Sequence, residues 1–437
     1  MIALVVMMRR SRVGSVGLPF AYLVGWALIH LPGASLYLLP DHNYYQLESI
    51  VDGFGLTTLG LATYCLGVFL VRPGANSDRG RAPGPGFAAA RPLHRIAMLF
   101  LGIGLAVQLV VIPFVGQIAS LTALTSGLAT LSVAGACLGL HDAFMKKNNR
   151  RLIFWLAVAA TFPVITLTSA AFLGFGTYSL VVVVAFGLMN IPRRTLYIAA
   201  VLAVPVVYLG MSLYVTYMRD RTDLREMIWM GDAGIASKMD RVTKLVTDFE
   251  LLDIENNDHL VAIDQRLNQN HLVGSAVGYM KDGLRDFTHG ESVLLAFVAL
   301  VPRALWPDKP TFGGSGNMVA EFTGLTFSEG TSVGVGQVLE FYINFGAWGV
   351  AFGFLLLGVL IRQFDWHAAQ GLRNGDYRRF VMWFVPGLGM LQAGGNLAEV
   401  TASTAAAIGA ALLASRLIER RAVKPGQPDS QSAVNRP

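Results

Sequence analysis

The chain has 437 residues, 54% of them hydrophobic and 14% charged, with a mean hydropathy of +0.51. A soluble domain carries about 25% charged residues, so the composition excludes an ordinary soluble globular protein. The formal net charge of +6 sits mostly in short loops and tails between apolar runs, where it sets membrane orientation and does not mark a nucleic-acid ligand.

Apolar runs of about 20 residues recur along the chain, the length a helix needs to cross a bilayer. They predict an all-α polytopic membrane protein with about ten spans. The first span, 17–39, follows Arg9, Arg10 and Arg12, and no Ala-x-Ala pattern comes after it. It therefore reads as a retained span and not a removed signal peptide. Asp41, Glu48 and Asp52 make an acidic connection to the second span, 54–71. A Pro/Gly-rich loop with Arg72, Arg79, Arg81, Arg91 and Arg95 then leads to a hairpin of 96–115 and 118–140. Lys146, Lys147, Arg150 and Arg151 precede a second hairpin, 152–171 and 175–189, and Arg193 and Arg194 precede the seventh span, 196–215. Even-numbered exits are basic and odd-numbered ones short, neutral or acidic. The positive-inside rule thus places the N-terminus in the cytoplasm and brings the chain outside after the seventh span. Cys65 and Cys137 fall within apolar runs and read as small core residues, not a disulfide or metal site.

Residues 217–290 form the one long polar region. Met239, Val242, Leu245, Val246, Phe249 and Leu252 recur at helical spacing, as do Leu260, Ile263 and Leu267, so two amphipathic helices are expected with a break at Asn256-Asn257-Asp258. The apolar run 292–301 is too short to span. If it did span, the basic segment from Arg362 to Arg379 would lie outside, so it reads as a re-entrant or interfacial segment walling a cavity. The eighth span is 338–361; 380–391 and 400–413 make a ninth and tenth that turn outside at Gly394-Gly395-Asn396. Arg416, Arg420, Arg421 and Lys424 then return the chain to the cytoplasm ahead of a disordered tail. The expected divisions are a seven-span bundle (1–216), an outer helical loop (217–290), a re-entrant and Pro/Gly-rich segment (291–337), a three-span bundle (338–416) and a tail (417–437).

Chemistry is concentrated on the outer side. In Val301-Pro302-Arg303-Ala304-Leu305-Trp306-Pro307-Asp308-Lys309-Pro310, three prolines forbid a continuing helix and stiffen an elbow that carries a guanidinium, an ammonium and an indole. Such cations beside a membrane suit a lipid-linked phosphate, although snorkelling anchors use the same residues. Gln337, Glu340 and Asn344 share one helix face. A carboxylate inside a membrane helix is costly unless it faces a cavity or a partner, so Glu340 is a candidate general base. Gly349 and Gly353 read as a close-packing face. Thr288-His289-Gly290-Glu291 has capping-box spacing, which makes Glu291 a cap and leaves His289 a weak acid-base candidate. Gly313-Gly314-Ser315-Gly316 lacks the ending of a phosphate-binding loop and reads as a flexible lid. Arg219, Arg221 and Arg225 interleave with Asp220, Asp223 and Glu226, a pattern that local pairing explains. No metal-ligand spacing and no cofactor motif is present in the sequence.

The order of these pieces resembles the bacterial O-antigen and exopolysaccharide repeat-unit polymerases of the Wzy type. The resemblance rests on Gln265-Arg266-Leu267, Thr288-His289-Gly290-Glu291-Ser292, the Pro302 to Pro310 string and Glu340-Phe341-Tyr342-Ile343-Asn344-Phe345-Gly346. It implies a glycosyltransferase of the cytoplasmic membrane, with both termini cytoplasmic, that joins polyprenyl-diphosphate-linked oligosaccharides on the outer face, without a cofactor or metal. A chain-length regulator is the further partner it implies. On that resemblance Arg303 and Lys309, with Arg266 and either Arg219 or Arg221, would hold the diphosphate. Glu340 would deprotonate the acceptor hydroxyl, and Asn344 and Trp306 would place sugars. Gln337 matches no role in this scheme. Two other readings stay open: an O-antigen ligase using the same groups, and a transporter or flippase of lipid-linked glycans.

Overall fold

The structure is a computed structural model that describes residues 14–40, 42–71, 93–115, 119–170, 173–229, 240, 243–244, 247–301, 306, 308–309, 314–327 and 333–420. Arg303 with Pro302, Pro307 and Pro310, the basic loop 72–92, the helix positions Met239, Val242, Leu245 and Val246, and the tail from 421 lie outside the described residues. The described residues are helical, with no strand, and nine of the helices are long and apolar enough to cross a membrane. Seven precede the polar region: α1 (Leu18–Leu36), α2 (Leu47–Leu70), α3 (Leu93–Phe114), α4 (Leu124–Met145), α5 (Asn149–Ser169), α6 (Leu173–Asn190) and α7 (Arg193–Trp229). Four short helices follow, α8 (Asn257–Leu267), α9 (Asn270–Lys281), α10 (Glu291–Ala299) and α11 (Ser315–Thr323). The chain closes with α12 (Gln337–Arg373), α13 (Tyr377–Gly389) and α14 (Leu397–Arg420).

Polar side chains fix where several helices start. Asn148 accepts from the Arg151 N–H at 3.1 Å and Asp376 from the Arg379 N–H at 2.9 Å, each satisfying a donor the helix cannot pair itself. The start of α1 borrows its cap from α12. Wholly buried Asp365 accepts from the N–H groups of Val16, Gly17 and Leu18 at 3.0, 3.0 and 3.1 Å, and Arg362 pairs with the same carboxylate. Helices α2 and α12 approach closely. A Cβ added at Gly67 would sit 2.1 Å from the Leu355 carbonyl oxygen, and one at Gly358 would sit 2.3 Å from that of Tyr64. Only glycine permits this seam.

The expected eighth span is two pieces. Phe345 (φ −143°, ψ 21°) and Gly346 (φ 61°, ψ −150°) leave helical geometry, and the second requires a residue tolerant of left-handed φ. The short arm 337–344 then folds back on the long one. A Cβ on Gly349 would lie 2.2 Å from the Phe341 carbonyl oxygen, and one on Gly353 would lie 2.6 Å from the Phe341 ring. Gly349 and Gly353 are therefore a close-packing face, and it serves an arm of the same helix.

The fold departs from other expectations as well. Helix α13 has 13 residues, about 20 Å, short of the ~30 Å hydrocarbon core, which is why nine helices qualify and not ten. The turn after it packs into the bundle. Leu391, Ala393 and Asn396 are buried, and the Gly336 N–H donates to the Gly394 carbonyl at 3.1 Å. Helix α10 spans nine residues, about 14 Å, so it does not cross. It lies on α14, where Thr401 Oγ1 donates to the Ala296 carbonyl at 2.8 Å. The expected capping box at its start is absent: Gly290 is the N-cap without a side-chain bond, and Thr288 Oγ1 donates to Asn344 Oδ1 at 2.8 Å. Ser315 and Gly316 open helix α11 and so are not part of a lid. The first amphipathic helix does not reach Leu252. Residues 249–253 are non-helical and run along α7, with the Leu252 N–H donating to Ser212 Oγ at 2.9 Å. The break at Asn256 and the helix bearing Leu260 and Ile263 are as expected. Cys65 and Cys137 are free, and Cys137 is buried.

Candidate functional site

Helix α7 continues past its apolar run, so Arg221 and Arg225, four residues apart, lie on one face of its polar end. Helix α8 carries Arg266 in its last turn. Its apolar stripe brings that turn to α7: Leu260 and Ile263 cluster with Leu36 of α1 and Val215 of α7. Two backbone contacts fix the depth. The Gln269 N–H donates to the Ile29 carbonyl at 2.9 Å and Asn270 Nδ2 to the His30 carbonyl at 2.7 Å. The three arginines thereby line one cavity of about 800 Å³, with Tyr44, Tyr45 and His271 among its other walls.

The connection between α1 and α2 is strapped across α8 by Asp264. This wholly buried carboxylate accepts from Tyr37 Oη at 2.9 Å, His42 Nε2 at 2.9 Å and Asn268 Nδ2 at 2.6 Å. The Tyr45 N–H donates to Tyr37 Oη at 2.9 Å, and Gln265 Nε2 donates to Tyr44 Oη at 2.6 Å. The Tyr45 ring stacks on His271 at 3.9 Å and 8°. His271 Nδ1 is 2.7 Å from the Asn268 carbonyl, which can only accept, so Nδ1 carries the proton and Nε2 is left as an acceptor.

Electrostatics favour an anion here. Burial, and then the neighbouring Arg221, push the Arg266 guanidinium below its ordinary value, but an arginine still stays protonated at neutral pH. Burial lowers His271, against the Asn268 carbonyl, and keeps the ring neutral. Burial and the nearby Tyr44 and Asp264 raise Tyr45, so it remains a phenol. The described residues lining the cavity include three arginines and no carboxylate. Guanidinium forks match phosphate and carboxylate oxygens, and three of them suit an anion of more than one charge.

The sequence-derived candidates divide. Arg221 and Arg266 line the cavity. Arg219 turns to exposed surface, 3.2 Å from Asp220 and paired with Glu250. Lys309 Nζ donates to the Ala299 and Val301 carbonyls at 3.2 and 3.0 Å, closing the end of α10. Trp306 is exposed and does not line the cavity. Neither Glu340 nor Asn344 lines it; both are sealed in a helix-packing network. Glu340 Oε2 accepts from the Leu397 N–H at 2.5 Å, capping α14, and Asn344 Nδ2 donates to Ser292 Oγ at 2.7 Å. Gln337 gains a role as a tie: its Nε2 donates to the Gln392 carbonyl at 2.9 Å and its Oε1 accepts from Tyr22. Arg225, Tyr44, Tyr45 and His271 had no part in the sequence scheme. The spacing of Arg225 from Arg221 was the one available signal.

Fold and site together define a helical protein, with helices apolar enough for a multi-pass membrane protein, that gathers three arginines on one cavity beside the short helices that follow α7. Residues 87–377 match the family described as a domain of unknown function, DUF8712, and the chain belongs to that family. No curated protein and no solved structure matches it.

Proposed function

We propose that this protein is a glycosyltransferase of the bacterial cytoplasmic membrane. It would move an oligosaccharide from polyprenyl diphosphate onto the terminal sugar of another lipid-linked repeat, building O-antigen or exopolysaccharide on the outer face. The observation that carries the reading is the convergence of Arg221, Arg225 and Arg266 on one cavity at the end of the seventh apolar helix. The acceptor hydroxyl attacks the anomeric carbon, the bond from that carbon to the phosphate oxygen breaks, and the diphosphate leaves with the electron pair. Fixed guanidiniums stabilise the charge that develops on it. The acceptor proton needs a base, and neutral His271, with Nε2 as an acceptor on a cavity-lining residue, supports that role better than the capped Glu340.

The test is purified full-length protein with a lipid-linked repeat, read as a ladder on a gel. Arg266→Ala should slow ladder growth by about 10² to 10³, the usual cost of removing one such donor, and Arg219→Ala should change it by less than about twofold. A full ladder from Arg266→Ala would sink the proposal. A single transfer to an acceptor that is not a repeat unit would assign the protein as a ligase instead.

A further inference from the structure

An imidazole side chain turns about two torsions, and a base works only when its free nitrogen is held within hydrogen-bond reach of the proton it takes. Both torsions of His271 are held. Nδ1 donates to the Asn268 carbonyl at 2.7 Å, and the Tyr45 ring lies against the imidazole at 3.9 Å and 8°. With Nδ1 committed, Nε2 is the nitrogen left to serve the cavity, which Tyr45 and His271 both line.

The two sides of this clamp come from distant parts of the chain and meet at one joint. Tyr45 stands two residues before α2, and His271 is the second residue of α9. The two helices approach backbone to backbone. A Cβ added at Gly274 would sit 1.7 Å from the Ser49 carbonyl oxygen, and one at Gly53 would sit 1.9 Å from that of Asn270. Ser49 Oγ donates to the His271 carbonyl at 3.1 Å, so the backbone beneath the imidazole is tied to α2 as well.

One buried carboxylate secures both sides. Asp264 accepts from Asn268 Nδ2 on the His271 side and from Tyr37 Oη on the other, and Tyr37 Oη in turn accepts from the Tyr45 N–H. The other end of the Asn268 amide is fixed too, since its Oδ1 accepts from Asn270 Nδ2 at 2.9 Å. What meets His271 is the ring face of Tyr45, a contact that sets direction and transfers no proton.

We infer that Tyr45 is a positioning residue: its ring, with the Asn268 carbonyl, aims the free nitrogen of His271 at the acceptor hydroxyl, and Asp264 holds both in place. This rests on the reading of His271 as the base and names what aims it. Misplacing such a group by about 1 Å can cost about 10² in rate, so the clamp acts on the chemical step and not on binding.

The test follows the first coupling of polyprenyl-diphosphate-linked repeat units, extracted from the cells that make them, by full-length protein in phosphatidylcholine nanodiscs. Tyr45→Leu removes the ring and keeps an apolar side chain. It should lower kcat by about 10- to 10²-fold while KM and the affinity for inorganic pyrophosphate stay within about threefold, which also reports an intact fold. Tyr45→Phe keeps the ring and should recover kcat to within about threefold of the wild type. In a His271→Ala background, Tyr45→Leu should cost less than about twofold more, because a clamp has no effect without the base it holds. If His271→Ala is slow and Tyr45→Leu keeps the wild-type kcat, the clamp is overturned and the base stands. Additive losses in the double variant, no recovery in Tyr45→Phe, or weakened pyrophosphate binding in Tyr45→Leu overturn it too, since Tyr45 would then act in its own right. A wild-type rate in His271→Ala removes the base and the clamp with it.

Discussion

Three donors converge on the Asp264 carboxylate, and with it buried none of them is replaced by water. Asp264→Ala should therefore cost about 1–3 kcal/mol for each donor left unpaired, read as a lower thermal midpoint and as faster proteolysis between α1 and α2. His271 makes a pH prediction. Its folded pKa is lowered by burial, so below the ordinary histidine value the unfolded chain binds the proton and the folded one does not. Stability from this group is complete above about pH 6.5 and is lost as the pH falls below that value. His271→Phe keeps a ring against Tyr45 and has nothing to titrate. It should lose less thermal stability than the wild type between about pH 7 and pH 5, and an equal loss would show that His271 does not contribute.

At the scale of elements, the folded-back arm of α12 sets where Glu340 can reach. Its carboxylate meets the Leu397 N–H at the start of α14 and not the arginine cavity. On the proposed function, Glu340→Gln keeps an acceptor there and should retain polymer formation within a fewfold, whereas Glu340→Ala leaves a part-buried N–H unpaired and should cost about 1–3 kcal/mol of stability. Loss of activity in a stable Glu340→Gln protein would restore the general-base role. The spans were legible because an apolar run of about 20 residues has one outcome in a bilayer. The re-entry at Gly346 was not, since its cause is a positive φ and a glycine face that only the partner arm reveals. Nor was the shortness of α13, whose helix stops at Gly389 and gives way to a turn that bonds back to Gly336 and Gln337. The site was half legible. Arg221 and Arg266 were chosen for chemistry, but Tyr44, Tyr45 and His271 reach them through Asp264 and the α1 docking, contacts between segments more than 200 residues apart.

Considered whole, the molecule ties its early helices to its late ones at both ends. Asp365 of α12 caps α1, and Asp264 of α8 holds the connection that follows α1. The arginine cavity is then built from α1, the connection to α2, α6, α7, α8, α9 and the residues just before α12, so no contiguous stretch of chain contains it.

The strap at Asp264 has a consequence for biosynthesis. His42 and its anchor are 222 residues apart in sequence, which at typical elongation rates is about 11 to 44 s of translation. Until Asp264 leaves the ribosome, the loop that carries Tyr44 and Tyr45 has nothing to close upon. Stalled nascent chains ending before Asp264 should be nicked by protease in that loop, and chains extending past α9 should be protected. The arginine cavity is thus walled on this side only late in the protein's synthesis.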